Sequence, residues 1–136
     1  MLDRFSAQGE PLWSRKYGIA EYAAANAVAV DHWDRIVAAG FFRRGVIDFG
    51  CGPLESTADQ GGDYAGDMFL AKLDPSGDCL WSKAFGGWGQ QSLYGTAVDG
   101  SDYVVVAGEF QSSIDFGVGP LVAEHYPEPC LARFTP

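Results

Sequence analysis

Two runs of residues have the hydrophobic pattern of buried β-strands. Residues 35–42 (RIVAAGFF) and 103–110 (YVVVAGEF) are short, rich in Val, Ile and Phe, and bounded by turn-forming residues. Runs of this length and composition favour strands over helices. A glycine holds the same place in each run, Gly40 and Gly108, and a glycine inside a strand marks a bulge or the close approach of another backbone. The runs start 68 residues apart, which predicts a repeated strand.

The same spacing relates longer parts of the chain. Residues 1–18 and 69–86 each read as a strand, a turn and a second strand. The turn of the second copy is DPSG, a sequence typical of a type I turn that leads into a hairpin. We predict a β-hairpin in each copy, and the repeated structural positions are Trp13, Trp81, Gly9 and Gly77.

The alanine-rich stretch 20–30 has the propensity of a helix when it is considered alone. Its repeat counterpart, residues 88–98 (WGQQSLYGTAV), contains two glycines and several polar residues and is a poor helix former. Because equivalent segments of a repeat share a structure, we predict a connecting loop and then a short strand in both copies. These strands are expected to end at the pairs Val30-Asp31 and Val98-Asp99.

A second repeated motif, IDFG, contains Asp48 and Asp115. Asp-Phe-Gly is also a metal-binding motif of protein kinases, but neither a catalytic loop nor a glycine-rich phosphate loop precedes it in this sequence. We therefore predict two turns in which the Asp side chain accepts hydrogen bonds from backbone N–H groups. The Phe of each motif is expected to pack inward.

Each period thus contains four predicted strands separated by turns, which is typical of an antiparallel sheet stacked on copies of itself. We predict an all-β protein made of β-propeller blades, each a four-stranded antiparallel sheet. Residues 1–136 are expected to form one module of two repeats, 1–68 and 69–129, plus the start of a third at 130–136. Propellers typically have about 4 to 8 blades, so this ring is incomplete. We expect self-association or further blades of a longer chain.

The two ends of the chain are predicted to be equivalent strands. The expected order within a blade places residues 96–99 innermost, then 103–110, then a strand of the FLAKLD type, and the Trp strand outermost. On that order, residues 1–5 and 130–134 are both third strands. They would compete for one position in a closed ring.

The motif FLAKLDPSGDCLWS, followed by GTAVD, VVVAG and IDFG, resembles the bacterial β-propeller repeat called SBBP. Two copies cover nearly the whole chain. The family occurs in large secreted and surface proteins and has no shared catalytic residue, so the resemblance implies a non-enzymatic scaffold or interaction module at the cell surface or outside the cell.

The spacing from Gly77 to Trp81 is also similar to that of the tryptophan-docking repeat of quinoprotein propellers. The turn of that family runs four steps from Asp to Gly, whereas Asp74 to Gly77 is three. The weaker resemblance implies an alternative function, as a fragment of a quinoprotein-like dehydrogenase.

The net charge of −9 argues against binding to nucleic acid or to an anionic membrane, because both need clustered Lys and Arg. No apolar run approaches the roughly 20 residues of a membrane span, and the N-terminus does not read as a signal peptide. The cysteines Cys51, Cys79 and Cys130 lack C-x-x-C spacing. We interpret them as incidental small apolar residues, with one disulfide and a remaining thiol as the alternative.

The sequence predicts no catalytic residue, metal site or cofactor. His32 and His125 occupy non-equivalent positions without a neighbouring partner, and a catalytic histidine needs one. Acidic residues recur at every fourth position of the long linker but lack the alternate spacing of a calcium loop. We therefore predict a solvated acidic loop containing Glu55, Asp59, Asp63 and Asp67.

Aromatic residues in the predicted connections are the candidates for ligand binding, because connections carry the binding surfaces of most scaffolds. Packing beneath a loop is their commoner role, and stacking on a sugar or holding a peptide is the alternative. A sugar-binding propeller lectin, in which a ring multiplies a weak site, is thus a second alternative function. The candidates are Trp33, Trp88, Tyr94 and Tyr126.

Overall fold

The computed structural model describes residues 1–57 and 65–135. This part of the chain is all-β, as predicted, and contains no helix. Its strands are β1 (Leu2–Phe5), β2 (Pro11–Arg15), β3 (Tyr22–Val30), β4 (Ile36–Arg43), β5 (Val46–Asp48), β6 (Pro53–Glu55), β7 (Asp67–Leu73), β8 (Cys79–Phe85), β9 (Gln91–Val98), β10 (Val104–Phe110), β11 (Ser113–Asp115), β12 (Pro120–Val122) and β13 (Glu128–Phe134).

The central unit is the antiparallel sheet β3-β4-β7-β8, which we call the four-stranded blade. The sheet β9-β10-β13, the three-stranded blade, repeats its first three strands, and the hairpin β1-β2 repeats its last two. This order, with the Trp strand outermost, confirms the predicted arrangement within a blade. The described chain therefore begins and ends on equivalent third strands, β1 and β13.

Two hydrophobic clusters fill the spaces between these units. One lies between the hairpin and the four-stranded blade, where Leu2, Trp13 and Tyr17 pack against blade residues such as Phe69. The other lies between the two blades. Strands β4 and β7 contribute to both clusters, so they bury both of their faces. The second cluster includes Val37, Ala39, Met68, Leu70, Phe85, Leu93, Val104, Val106, Phe110 and Ile114.

The strand glycines lie opposite β-bulges. The pairing of β3 with β4 shifts between Ala25 and Ala27, and that of β9 with β10 shifts beside Gly108. A Cβ atom on Gly40 would lie 2.0 Å from the Ala24 oxygen, and one on Gly108 would lie 2.2 Å from the Ser92 oxygen. Both positions therefore require glycine, because a backbone carbonyl occupies the space of a side chain.

Each predicted hairpin turn is present. Gly9 and Gly77 have φ values of 81° and 85°, which an L side chain rarely adopts. Their N–H groups donate to the oxygens of Ser6, at 2.9 Å, and Asp74, at 3.0 Å. Trp13 packs between hairpin and blade and donates its Nε1–H to the Pro75 oxygen at 3.1 Å. Its counterpart Trp81 packs against the cluster between the blades.

The IDFG motifs form two additional hairpins, β5-β6 and β11-β12, so a full period has six strands rather than the four predicted. Asp48 Oδ1 accepts hydrogen bonds from the N–H groups of Gly50 (2.7 Å) and Gly52 (3.2 Å). Asp115 makes the same pair with Gly117 and Gly119. Phe49 is buried and Phe116 packs against the inter-blade cluster.

The predicted connecting loop at residues 20–30 is wrong for most of its length, because β3 already begins at Tyr22. The strand pairs with β4 from Tyr22 opposite Arg43 to Val30 opposite Ile36, and the bulge between Ala25 and Ala27 interrupts the pairing. Pairing with a neighbouring strand decides the structure of a segment with helical propensity. The counterpart β9 likewise begins early, at Gln91.

The interpretation of all three cysteines as incidental is also wrong. Cys51 and Cys79 form a disulfide across 28 positions, and Cys130 is free and buried. The pairing arises because the β5-β6 hairpin folds back beside the start of β8. Burial raises the pKa of the Cys130 thiol. One disulfide with a remaining thiol was the alternative left open by the sequence.

Candidate interaction surface

The turn between β3 and β4 is built around the buried carboxylate of Asp31. Its Oδ1 accepts the N–H groups of Trp33 (3.0 Å) and Arg35 (2.9 Å), and its Oδ2 accepts Arg35 Nε at 2.6 Å. Lys72 Nζ lies 3.3 Å from the same Oδ2, and its side chain is 1% exposed. Burial would raise the pKa of Asp31, but the hydrogen bonds from Arg35 and Trp33 and the nearby Lys72 ammonium outweigh it and hold that pKa below its usual value.

The same turn also binds the next blade through Asp102. Trp33 donates its Nε1–H to Asp102 Oδ2 at 3.1 Å, His32 Nδ1 lies 2.6 Å from Oδ1, and Arg35 Nη2 lies 3.5 Å from Oδ2. We call this set of four residues the inter-blade clasp. A positive charge and two ring nitrogens surround one nearly buried carboxylate, so the clasp fixes the ends of β4 and β10 relative to each other.

The bulge residue Asn26 forms a second link between the blades. Its Nδ2 donates to the Leu93 oxygen at 2.8 Å and to Ser92 Oγ at 3.2 Å. Because the bulge leaves Asn26 out of the pairing with β4, its side chain is available for the inner strand of the neighbouring blade. The counterpart Tyr94 has a different role: its hydroxyl donates to Glu109 Oε1 at 2.7 Å.

The three-stranded blade repeats the Asp31 turn without a blade to cover it. Asp99 Oδ1 accepts the N–H groups of Ser101 (2.8 Å) and Tyr103 (3.1 Å), and Oδ2 accepts Arg133 Nη2 at 2.7 Å. The bond from Arg133 is the largest cause that lowers the pKa of Asp99. Arg133 pairs with Val105 as Lys72 pairs with Val37, but its side chain is 55% exposed.

The outward side of the three-stranded blade is apolar, and we call it the open face. Leu131 shows most clearly what this side lacks. Leu70 holds the same position in the motif FLAKL as Leu131 in CLARF and is 0% exposed, whereas Leu131 is 74% exposed. The open face consists of Gly95, Ala97, Val105, Ala107 and Leu131.

The opposite side of the molecule is only partly covered. The hairpin β1-β2 supplies two strands against the four-stranded blade, and Val28 and Val30 of the innermost strand remain more than half exposed. The neighbouring Asp34 is exposed as well. Exposed apolar surface therefore lies on both outer sides of the stacked sheets, at the open face and beside Val28 and Val30.

The four aromatic candidates are all more than half exposed. They do not form one site. Trp33 lies in the β3-β4 turn and Tyr94 on β9, while Trp88 and Tyr126 lie in connections at the other end of the strands.

In the structure the partner of His32 is Asp102. The sequence did not suggest this pair, because 70 positions separate the two residues. The His125 N–H donates to Glu128 at 3.1 Å. A solvated position is wrong for Asp67, which is buried and accepts the Thr57 hydroxyl at 2.9 Å. Glu55 is exposed; Asp59 and Asp63 lie outside the described residues. No cluster of three metal-type ligands and no membrane-spanning helix occur in the described ranges.

Sequence reasoning missed the ion pair within each blade, Asp31 with Lys72 and Asp99 with Arg133, although a signal for these pairs exists. An Asp follows the innermost strand in both repeats, at Asp31 and Asp99, and a basic residue occupies the same position of each third strand, at Lys72 and Arg133. Two oppositely charged positions that recur together in a repeat indicate an ion pair.

Successive antiparallel sheets with this strand order define a β-propeller-like repeat. No protein-family model matches the chain. The chain is 27% identical, over 116 residues, to an uncharacterised WD repeat-containing protein of Acanthamoeba polyphaga mimivirus. The match covers 83% of this chain and 8% of that protein. This similarity agrees with a β-propeller-like repeat.

Proposed function

We propose that the chain is a non-enzymatic, propeller-type protein-interaction module whose ring is completed by copies of the same chain. The carrying observation is the contrast between Leu70 and Leu131, which hold equivalent positions but differ in exposure from 0% to 74%. The open face has the apolar surface that the four-stranded blade buries against its neighbour. Exposed apolar patches of this kind mark protein interaction sites.

A second copy has the element that the three-stranded blade lacks. The missing element is an outermost strand beside β13, and β2 is equivalent to β8, which holds that place in the four-stranded blade. We propose that β2 of one copy pairs with β13 of another. Main-chain hydrogen bonds to a free sheet edge are a general mode of strand addition.

β1 already pairs with β2 at the edge that β13 of another copy would use. One of these two equivalent strands therefore has to leave its place. β13 pairs with β10 at seven positions in continuous register, whereas β1 pairs with β2 at four positions with a shift beside Phe5. Release of β1 therefore breaks fewer hydrogen bonds. We propose that β1 yields and β13 remains.

Solution mass tests the proposal. Sedimentation equilibrium of the purified chain is expected to show a closed oligomer, and Leu131→Asp is expected to shift it towards monomer without loss of the β-sheet signal in circular dichroism. Glu124→Lys, at an exposed position in the connection before β13, is the matched control and should leave the mass unchanged. A folded wild-type monomer at all concentrations would overturn self-association.

The similarity to a WD repeat-containing protein supports an interaction module, and the proposal assigns no reaction and no cofactor. The His32–Asp102 pair has the geometry that orients a catalytic histidine, but Asp102 also accepts Trp33 Nε1–H, as a structural carboxylate does. Titration with pyrroloquinoline quinone and calcium tests the dehydrogenase alternative. A stoichiometric cofactor absorbance would contradict a non-enzymatic role.

The Cys51–Cys79 disulfide supports a secreted or cell-surface location, because structural disulfides persist in oxidising compartments. Alkylation of the protein from its natural source tests this. In denaturant without reductant, which exposes the buried Cys130, one modified thiol is expected, and three would contradict the location.

A glycan ligand is the second candidate, favoured by the exposure of Trp88 and Tyr126 at one end of the strands. Aromatic rings stack on sugars through their apolar faces. A glycan array with the assembled protein is expected to give a signal that Trp88→Ala removes. Absence of binding to any sugar would eliminate this candidate.

A further inference from the structure

The inter-blade clasp has an unfilled counterpart at Asp34. Asp34 precedes Asp102 by 68 positions and has nearly the same backbone, with φ of 61° against 63°. The N–H of each donates to the first residue of its turn, Asp31 at 3.1 Å and Asp99 at 2.9 Å. Asp102 has three partners in the preceding blade, a hydrogen bond from Trp33 and close contacts with His32 and Arg35, whereas no described residue hydrogen-bonds or ion-pairs with the Asp34 side chain.

At the opposite end of the molecule, the Arg133 guanidinium lies where Arg35 lies in the four-stranded blade. In the four-stranded blade, Arg35 connects Asp31 to Asp102 of the next blade. Tyr103 holds the position of Arg35 in the three-stranded blade, and the Arg133 guanidinium lies 3.7 Å above its ring. The charge of Arg133 thus occupies the region that the charge of Arg35 occupies one blade earlier.

We propose that Arg133 of one copy binds Asp34 of the next copy and so reproduces the clasp between molecules. The pairing rests on the self-association proposed above and names the charged contact of that interface. Arg133 retains donors for this contact, because a guanidinium has five N–H groups and Asp99 accepts at one nitrogen. Val28 and Val30, beside Asp34, would be covered at the same time.

Charge reversal tests the pairing. Asp34→Lys and Arg133→Glu each place like charges opposite each other and are expected to weaken assembly by at least about tenfold, since like-charge contacts at an interface are strongly unfavourable. The double variant restores opposite charges and is expected to regain most of the affinity. An equal mixture of the two single variants should also assemble, because each supplies the charge that the other lacks.

The measurements are sedimentation equilibrium for mass and circular dichroism for folding. Asp34→Asn keeps a residue type that tolerates positive φ and separates the loss of charge from a change of turn. Glu124→Lys makes the same change in net charge as Asp34→Lys but lies at the other end of the strands, so it should leave the mass of the assembly unchanged.

The outcomes separate the two proposals. A monomeric wild type overturns self-association itself. An assembling wild type with unaffected single variants overturns only the Asp34–Arg133 contact. Single variants that weaken assembly without rescue in the double variant also overturn it, since Arg133→Glu would then act through its own Asp99.

Discussion

The four-stranded and three-stranded blades share a sequence pattern but differ in what covers them. Every residue of β7 is buried, whereas β13 alternates between covered and exposed positions, with Pro129, Leu131 and Arg133 outward. Strand β4 differs from β10 in the same way. The alternation is therefore a property of the neighbours and not of the strand sequence. A residue of a stacked repeat acquires its energetic role from the unit beside it.

The largest expected effect concerns the two equivalent aspartates. Asp31→Asn leaves the buried Lys72 ammonium without its carboxylate, and an uncompensated buried charge lowers the free energy of unfolding by about 3–5 kcal/mol. Asp99→Asn removes an exposed pair, which contributes about 1 kcal/mol or less. Urea unfolding of the two variants at low protein concentration measures the difference. Equal losses would show that Lys72 is not held by Asp31.

Leucine truncation gives the next effect. Leu70→Ala opens a cavity between the blades and is expected to lower the free energy of unfolding by about 2–5 kcal/mol. Leu131→Ala in the monomeric state should change it by about 0.5 kcal/mol or less, as for other exposed positions. The same unfolding series compares them, and a large loss for Leu131→Ala in a monomer would contradict an open face.

The Cys51–Cys79 disulfide ties the β5-β6 hairpin to β8 of the four-stranded blade, and the three-stranded blade has no equivalent among the described residues. The double variant Cys51→Ser/Cys79→Ser opens a loop of 28 positions and is expected to lower the free energy of unfolding by about 3.5 kcal/mol through the unfolded chain. Wild type in dithiothreitol should match the variant, while the variant itself should not respond. Calorimetry with and without reductant makes both measurements.

The smallest expected effect is a change in the free energy of unfolding at acidic pH. The pKa of Asp31 is lower in the folded than in the unfolded chain, so its contribution to stability is complete above about pH 4 and is lost as the pH falls through the folded value. Asp31→Asn is therefore expected to flatten the pH dependence of unfolding below about pH 4. Urea unfolding between about pH 2.5 and about pH 6, a range that extends roughly one to two units to either side of the ordinary Asp pKa, measures how the free energy of unfolding depends on pH. An unchanged slope would show that other carboxylates dominate.

The blade order could be predicted because local features repeat at a fixed distance. Gly77 and Trp81 recur as Gly9 and Trp13, and the strand glycines recur as well, so the repeat identifies both hairpins and buried strands. The same comparison correctly excluded a helix at residues 20–30. It did not reveal the length of β3, because pairing with β4 rather than composition sets that length.

Contacts between blades could not be predicted in the same way. Asp102 meets His32, Trp33 and Arg35 only after two sheets stack, and no spacing in one repeat encodes that approach. The disulfide was hidden for a related reason: its cysteines correspond to Val118 and Pro11 in the other copies, so the repeat offers no second example.

The disulfide also changes how the molecule would respond to a mechanical load. When the chain is pulled out from its two ends, the covalent path runs from Cys51 directly to Cys79, and the residues between them, including all of β7, are not extended. At about 3.5 Å per extended residue, those 28 steps withhold roughly 100 Å of contour length from extension. An oxidised chain would therefore behave as a shorter tether than its sequence suggests, and reduction would release the hidden length in a single step.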